Sequence, residues 1–147
     1  EERTLELFAR WERSGAALSI VFVDCNKFKE INDTYGHAAG DLVLVKVADV
    51  LQVRARASDI VCRYGGDEFV ILLPDTHVQG AEVFAKSACE EVLNAGFNDN
   101  GKPLDVSISC GVTELVAGDT LESAIGRADE AMYQAKKMDG VKVCVVT

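Results

Sequence analysis

Two glycines set between two apolar runs constrain this chain more than any other feature. Ile60-Val61-Cys62 comes before Gly65-Gly66, Phe69-Val70-Ile71-Leu72-Leu73 comes after, and Pro74 closes the second run. Gly-Gly in that setting predicts a tight type I′ hairpin, because both central residues need φ > 0 and glycine accepts it without steric penalty. The second run is continuously apolar, as a central strand covered on both faces is. Asp67 and Glu68 stand at the mouth of the hairpin. Adjacent carboxylates repel each other and are costly beside an apolar strand unless a cation or donor is supplied. The plain reading is a solvated acidic turn; the sharper one is a divalent-cation site.

The rest of the chain arranges itself around this hairpin. Glu1 to Arg13 reads as a helix with Leu5, Phe8 and Trp11 near helical spacing, ended by Ser14-Gly15. Leu18 to Val23 is a β-branched and aromatic run, hence a buried strand that delivers Asp24 at its C-terminal end. A helical turn is expected over Lys27 to Asn32 and a loop over Asp33 to His37. Gly40 to about Ala57 reads as a long helix with Leu42, Val45, Val47, Ala48 and Leu51 on its apolar stripe. The hairpin strands are Asp59 to Tyr64 and Phe69 to Leu73, and His77 to Ala95 is a further amphipathic helix. Phe97 to Pro103 has loop composition. Leu104 to Leu115 alternates like a half-buried strand, Asp119 to Met138 is the last helix, capped by Asp119 or Thr120, and Val141 to Val146 is a final strand. Strands interleaved with helices predict an α/β sandwich with a mixed sheet. If the Leu18–Val23 strand lies beside the hairpin, Asp24 and the Asp67-Glu68 pair converge at one sheet edge.

At 147 residues the chain is expected to be one domain, 1–147. Its net charge of −9 argues against a nonspecific nucleic-acid or anionic-membrane binder, which needs a basic face. A nucleotide ligand remains compatible, since a divalent cation can balance charge locally. The five cysteines have no C-x-x-C spacing and lie in or beside apolar runs, so reduced thiols and a cytoplasmic domain are expected. The longest apolar stretch, Ala16 to Val23, is too short to span a bilayer, and no signal-peptide pattern is visible. No P-loop or Rossmann glycine motif occurs.

Asp24, Asp67 and Glu68 are hard oxygen donors suited to Mg²⁺ or Mn²⁺. Taken singly, Asp24 reads as a helix cap, Asn32 as a turn residue, Asp41 as a helix-start residue, and Lys29 and Lys136 as solvated lysines. An aspartate can accept from the N1–H and N2–H₂ edge of guanine, and an asparagine amide can complement O6 or N3; adenine lacks that donor pair. Arg56 and Asp59 form an R-x-x-D block whose arginine fork suits a phosphate or a guanine Hoogsteen edge, or simply a helix C-terminus.

Gly65-Gly66-Asp67-Glu68-Phe69 is the GGDEF signature. Val23-Asp24 to His37, Gly40-Asp41, Arg56 to Asp59, Val106 to Gly111 and Arg127-Ala128-Asp129 to Lys136 stand in the expected order around it. The chain therefore resembles the GGDEF family of diguanylate cyclases over nearly its whole length. The resemblance implies a palm-like, ferredoxin-related nucleotide cyclase fold (α/β, or α+β) with a central mixed sheet of about five strands flanked by helices. It implies condensation of two GTP into cyclic di-GMP with release of two pyrophosphates. Asp67 and Glu68 would be catalytic; Asp24, Asp67, Glu68 and the Cys25 carbonyl would hold Mg²⁺ or Mn²⁺; Asn32, Asp41, Lys29, Lys136, Gly65 and Gly66 would bind substrate. Arg56 and Asp59 match the family's inhibitory site for cyclic di-GMP.

The resemblance implies one nucleotide per domain and hence a homodimer for catalysis, and neither nucleic acid nor direct membrane insertion is expected. The parent could be a larger, membrane-anchored sensor with this domain in the cytoplasm. The alternative is a low-activity GGDEF domain that senses cyclic di-GMP or GTP. The chain departs from the pattern in four places. The D-x-L-T-G-L-x-N-R segment ahead of the first helix is absent, so the N-terminal edge is expected to be truncated. Asn26 stands where a second acid is usual, Asp139-Gly140-Val141 replaces Gly-Arg-Asn after Lys136, and helix 77–95 offers Lys86 rather than an arginine to the inhibitory site.

Overall fold

The computed structural model describes residues 2–147, so the expected helix start at Glu1 lies outside the described residues. The elements run α1 (Glu2–Ser14), β1 (Leu18–Cys25), α2 (Phe28–Tyr35), α3 (His37–Arg54), β2 (Ile60–Arg63), β3 (Glu68–Pro74) and α4 (Val78–Asn94). They continue with β4 (Asn98–Asp99), β5 (Lys102–Pro103), β6 (Ile108–Glu114), α5 (Leu121–Ala135) and β7 (Val143–Val146). Five strands form one mixed sheet in the order β2-β3-β1-β6-β7, antiparallel except for β6 and β7. The short β4-β5 hairpin lies apart, in the stretch read as loop. This is the expected α+β architecture, with a five-stranded mixed sheet between helices.

The period-2 geometry of strands divides the core in two. Val21, Val23 and Cys25 of β1, with Phe69, Ile71 and Leu73 of β3, pack beneath α3 and α4. Leu18, Ile20 and Phe22, with Val70 and Leu72, face α5, and Leu7, Phe8 and Trp11 of α1 cover the same side. Asp24 and Glu68 continue that second face at the ends of their strands. Gly111 of β6 is what lets α5 lie so close. A Cβ there would run into the Ala128 carbonyl and the Met132 amide.

Four sequence expectations are corrected. The predicted loop over Asp33 to His37 is helix on both sides of a single break at Gly36 (φ 92°). The stripe assigned to α3 is partly wrong: Leu42 and Val45 are exposed, while Ala39, Val43, Leu44, Val47 and Leu51 are buried. The register follows the residues that reach α2, α4 and β2, which alternation of valines alone does not reveal. Residues 104–107 lie outside any strand, and β6 is buried on both faces, because Ser109 and Thr113 find internal hydrogen-bond partners. Finally, neither Gly65 nor Gly66 has positive φ, so the type I′ turn is absent. The connection is a longer loop from Tyr64 to Asp67, closed by Tyr64 N–H donating to the Glu68 carbonyl at 2.8 Å.

Candidate functional site

Register decides the meeting of the acids. Asp24 of β1 lies directly opposite Glu68 of β3 and, on its other side, opposite Ser109 of β6. Opposed residues in an antiparallel pair share a face with their Cβ atoms about 5 Å apart. The Cys25 amide donates to the Asp67 carbonyl at 3.1 Å, which pulls the loop onto the end of β1. Arg63 fixes the far side of that loop by donating to the Gly66 carbonyl at 2.6 Å.

Within this corner the side chains are unequally satisfied. Asp24 is 9% exposed. Its Oδ2 accepts from Lys136 Nζ at 2.7 Å, but its buried Oδ1 has no partner. Burial pushes its pKa up to about 6; Lys136 pulls the other way, and Asp67 beside it adds to the rise. Burial also raises Glu68; Asp67 and Asp129 add to the rise, and Lys136 opposes it. Its carboxylate folds over Gly65, where a Cβ would collide with Glu68 Oε1. That close approach, rather than a positive φ, is what the glycine serves. The Cys25 thiol is pushed up to about 12 by burial and by Asp24 and Asp67, which leaves its backbone carbonyl as its usable ligand.

The backbone thus brings Asp24, Asp67 and Glu68 to one corner. Among the described residues, however, no three acidic, His or Cys side chains stand ready as a metal cluster. A lysine occupies one face of Asp24, and Glu68 is turned onto the loop. The donor set still fits a small divalent cation: hard anionic oxygens, one of them buried and partnerless.

Lys136 caps the C-terminal end of α5 and also lies 3.4 Å from Asn26 Oδ1. Lys29 sits exposed on α2, beyond the bend at Lys27, whose φ of 56° turns the chain sharply after β1. Asn32 of α2 has its Oδ1 buried without a partner. Gly40 makes that placement possible, since a Cβ there would overlap Asn32 Oδ1 and crowd Phe28. Asp41 is exposed and lines a groove of about 500 Å³ with Leu44, Val45, Ala48, Val61 and Phe69. Gln52 and Arg63 also line this groove, and sequence reasoning missed both. Arg63 was the more findable, standing two residues ahead of the glycines.

Arg56 and Asp59 are joined to each other at a distance from this corner. Asp59 is buried and accepts from the Arg56 amide at 2.8 Å and from its guanidinium at 3.1 Å. The same guanidinium donates to the Pro74 carbonyl and Thr76 Oγ1. Lys86, the candidate stand-in for an arginine, is paired with Glu82 at 3.0 Å. No helix among the described residues is long and apolar enough to cross a membrane.

Known proteins resemble this chain closely. The family model described as "Diguanylate cyclase, GGDEF domain" matches residues 1–141. Diguanylate cyclase DgcP of Pseudomonas aeruginosa is 37% identical over 136 residues, which cover 92% of this chain and 20% of DgcP. The chain therefore spans about a fifth of the length of that relative. The diguanylate cyclase SiaD of Pseudomonas aeruginosa, solved in complex with its activator SiaC, superposes with a TM-score of 0.92 at 34% identity, over 99% of this chain and 56% of that one. The GGDEF domain of DgcB from Caulobacter crescentus, in complex with c-di-GMP, gives 0.90 at 27% identity, over 95% and 84%.

Proposed function

The chain belongs to the GGDEF family of diguanylate cyclases, and from that premise we propose that it condenses two GTP into cyclic di-GMP, releasing two pyrophosphates. One observation carries the reading. Asp24 Oδ1 and Asn32 Oδ1 are both buried without a partner, one at the acidic corner and one against Gly40, the residue before Asp41. A buried orphan oxygen costs folding free energy of about 1–3 kcal/mol, more for a charged group, so a ligand that satisfies it gains what folding lost.

Asn32 and Asp41 read the base. The Asp41 carboxylate accepts from guanine N1–H and N2–H₂; the Asn32 Nδ2 donates to O6 or N3, which leaves its unpartnered Oδ1 to accept from N2–H₂. Gly65 and Gly66 let the loop backbone approach the triphosphate closely, Gly65 also making room for the Glu68 carboxylate, and Lys29 and Lys136 take its oxygens. Asp24, Asp67, Glu68 and the Cys25 carbonyl would hold Mg²⁺ or Mn²⁺, which neutralises phosphate charge and polarises the α-phosphorus. The Asp67 carboxylate accepts the proton of the attacking 3′-hydroxyl. In-line attack on the α-phosphorus releases pyrophosphate. That hydroxyl belongs to the nucleotide of a second copy, so two domains must meet face to face.

Product inhibition through Arg56 and Asp59 is part of the proposal. Their fork borders a cavity of about 290 Å³ with Thr76, Val83 and Phe84. The cytoplasmic placement and the single-domain extent 1–147 belong to it too. A second reading, a sensor that binds without turnover, draws on the Lys136–Asp24 pair, which closes the corner in this state. Incubation with GTP and Mg²⁺ separates the two. Cyclic di-GMP formed by the wild type and absent with Asp67→Ala supports the cyclase. GTP binding without product supports the sensor.

A further inference from the structure

Beside the acidic corner, the Asn26 side chain is held from several sides, and nothing in the function above uses it. Its Nδ2 donates to Ser107 Oγ at 2.9 Å, and its backbone amide donates to the Ser107 carbonyl, also at 2.9 Å. Its Oδ1 accepts from Ser109 Oγ at 2.7 Å. Ser109 is fully buried and faces Asp24 across the β1-β6 ladder. The amide plane is therefore fixed, with its oxygen turned to Lys136 Nζ at 3.4 Å. The ammonium sits between this neutral oxygen and the Asp24 carboxylate at 2.7 Å. The backbone that carries it is anchored as well. Lys142 Nζ donates to the Lys136 carbonyl at 3.3 Å and to that of Met138, at the negative end of the α5 dipole.

The charges make the residue type matter. Asp24, Asp67 and Glu68 already crowd the corner. An aspartate at position 26 would add a fourth carboxylate and give Lys136 a second ionic partner. It would also lose the donor that holds Ser107. Asparagine gives the lysine a resting place that is polar but weak. An arriving triphosphate then competes with one carboxylate for Lys136, not with two. Asp24 is freed by the same movement, at the point where its unpartnered Oδ1 is waiting.

We propose that Asn26 is a positioning residue for Lys136: the Ser107–Asn26–Ser109 strut holds the ammonium beside Asp24 and lets it pass to the phosphates of the incoming nucleotide. The hand-over rests on the cyclase reading; the positioning in the free protein does not. The test therefore has two arms. In the nucleotide-free protein, the side-chain ammonium resonance of Lys136 is followed by ¹⁵N NMR, assigned by its loss in Lys136→Met. Asn26→Ala and Ser109→Ala should each broaden or shift it, while a thermal melt reports whether either variant remains folded. An unchanged resonance in both folded variants overturns the positioning.

The second arm uses 3′-deoxy-GTP with Mg²⁺, which lacks the attacking hydroxyl and so reports binding alone. Asn26→Asp should weaken binding about tenfold, raise KM for GTP by a similar factor, and change kcat less than twofold. In the Lys136→Met background that difference between Asn26 and its Asp variant should vanish. A tenfold penalty that persists without Lys136 would be plain charge repulsion and overturns the hand-over. Wild-type protein that binds neither 3′-deoxy-GTP nor GTP refutes the cyclase reading and the hand-over together, with the NMR arm still deciding the positioning.

Discussion

At the N-terminal end of α5, Arg127 meets Asp119; beyond its C-terminal end, Lys136 meets Asp24. The two ion pairs are similarly sheltered, with side-chain exposures of 25% and 7% in the first and 31% and 13% in the second. They differ in how completely they are satisfied. Arg127 donates twice to Asp119, once to Thr113 Oγ1 and once to the Glu114 carbonyl. Asp119 also accepts from the Val116 amide and Ser123 Oγ. These donors hold its carboxyl well below the usual carboxylate range, with the Arg127 hydrogen bond first among the causes. Asp24 keeps one buried oxygen unpartnered, and burial outweighs Lys136, so its pKa rises to about 6. One pair fastens a helix to the sheet; the other leaves binding capacity unspent.

The contrast can be broken most forcefully at Asp24. Asp24→Asn should cut cyclic di-GMP formation by about 10²–10³-fold or more, the scale at which loss of one preorganised electrostatic group is felt. The same change should stabilise the fold at pH 8, by about 2–3 kcal/mol for a shift from 3.8 to about 6. Loss of activity accompanied by loss of stability would place Asp24 with Asp119 as a structural acid.

Asp119→Asn should do the reverse. Stability should fall by about 3 kcal/mol in denaturant titration, because a partly buried guanidinium loses its charge partner. Residual turnover per folded molecule should be close to wild type, and a specific collapse of kcat would break the division of roles.

The pH dependence sharpens the comparison. Folded Asp24 holds its proton more tightly than the unfolded chain does. Its contribution therefore lowers stability as pH rises from about 4 to about 6, and is flat above that. Asp119 has the opposite sign: its contribution is present above the unfolded value of 3.8 and is lost as pH falls below it. Subtracting each variant's stability-versus-pH curve from wild type should give slopes of opposite sign in those two windows.

A smaller effect is expected at Gly40. Gly40→Ala puts a methyl where Asn32 Oδ1 lies, at a cost of about 1–3 kcal/mol for an overpacked contact. Displacing Asn32 should also raise KM for GTP more than it changes kcat. The smallest is Arg10→Ala, which removes an exposed pair in which one guanidinium nitrogen donates to both Asp75 carboxylate oxygens, and should cost at most about 1 kcal/mol.

Most of the fold was legible because burial leaves a period in the sequence. The apolar runs of β1 and β3 marked the central strands, and of the two caps the sequence offered for α5, Asp119 and Thr120, the structure uses Thr120 in a reciprocal pair with Ser123. What escaped depended on partners far along the chain. Ser109 and Thr113 look solvent-facing until Asn26, Arg127 and the Val146 carbonyl are brought against them. Gly65 suggested a turn conformation but serves the Glu68 carboxylate, a steric fact visible only once that side chain is placed. The family resemblance implies a phosphate contact for Lys136, yet its resting partner lies 112 positions away in sequence, at Asp24.

Sequence alone determined which groups are available: three hard acids, two lysines, an amide and a carboxylate suited to guanine, carried on elements whose periodicity sets their order. Tertiary structure decided which of those groups are already paired. Pairing is a matter of ångströms across the sheet, set by the β1-β3 and β1-β6 registers and by how closely α5 packs on Gly111. A local pattern specifies a face and a residue type; only the assembled sheet specifies the neighbour that satisfies a charge or leaves it exposed to a ligand.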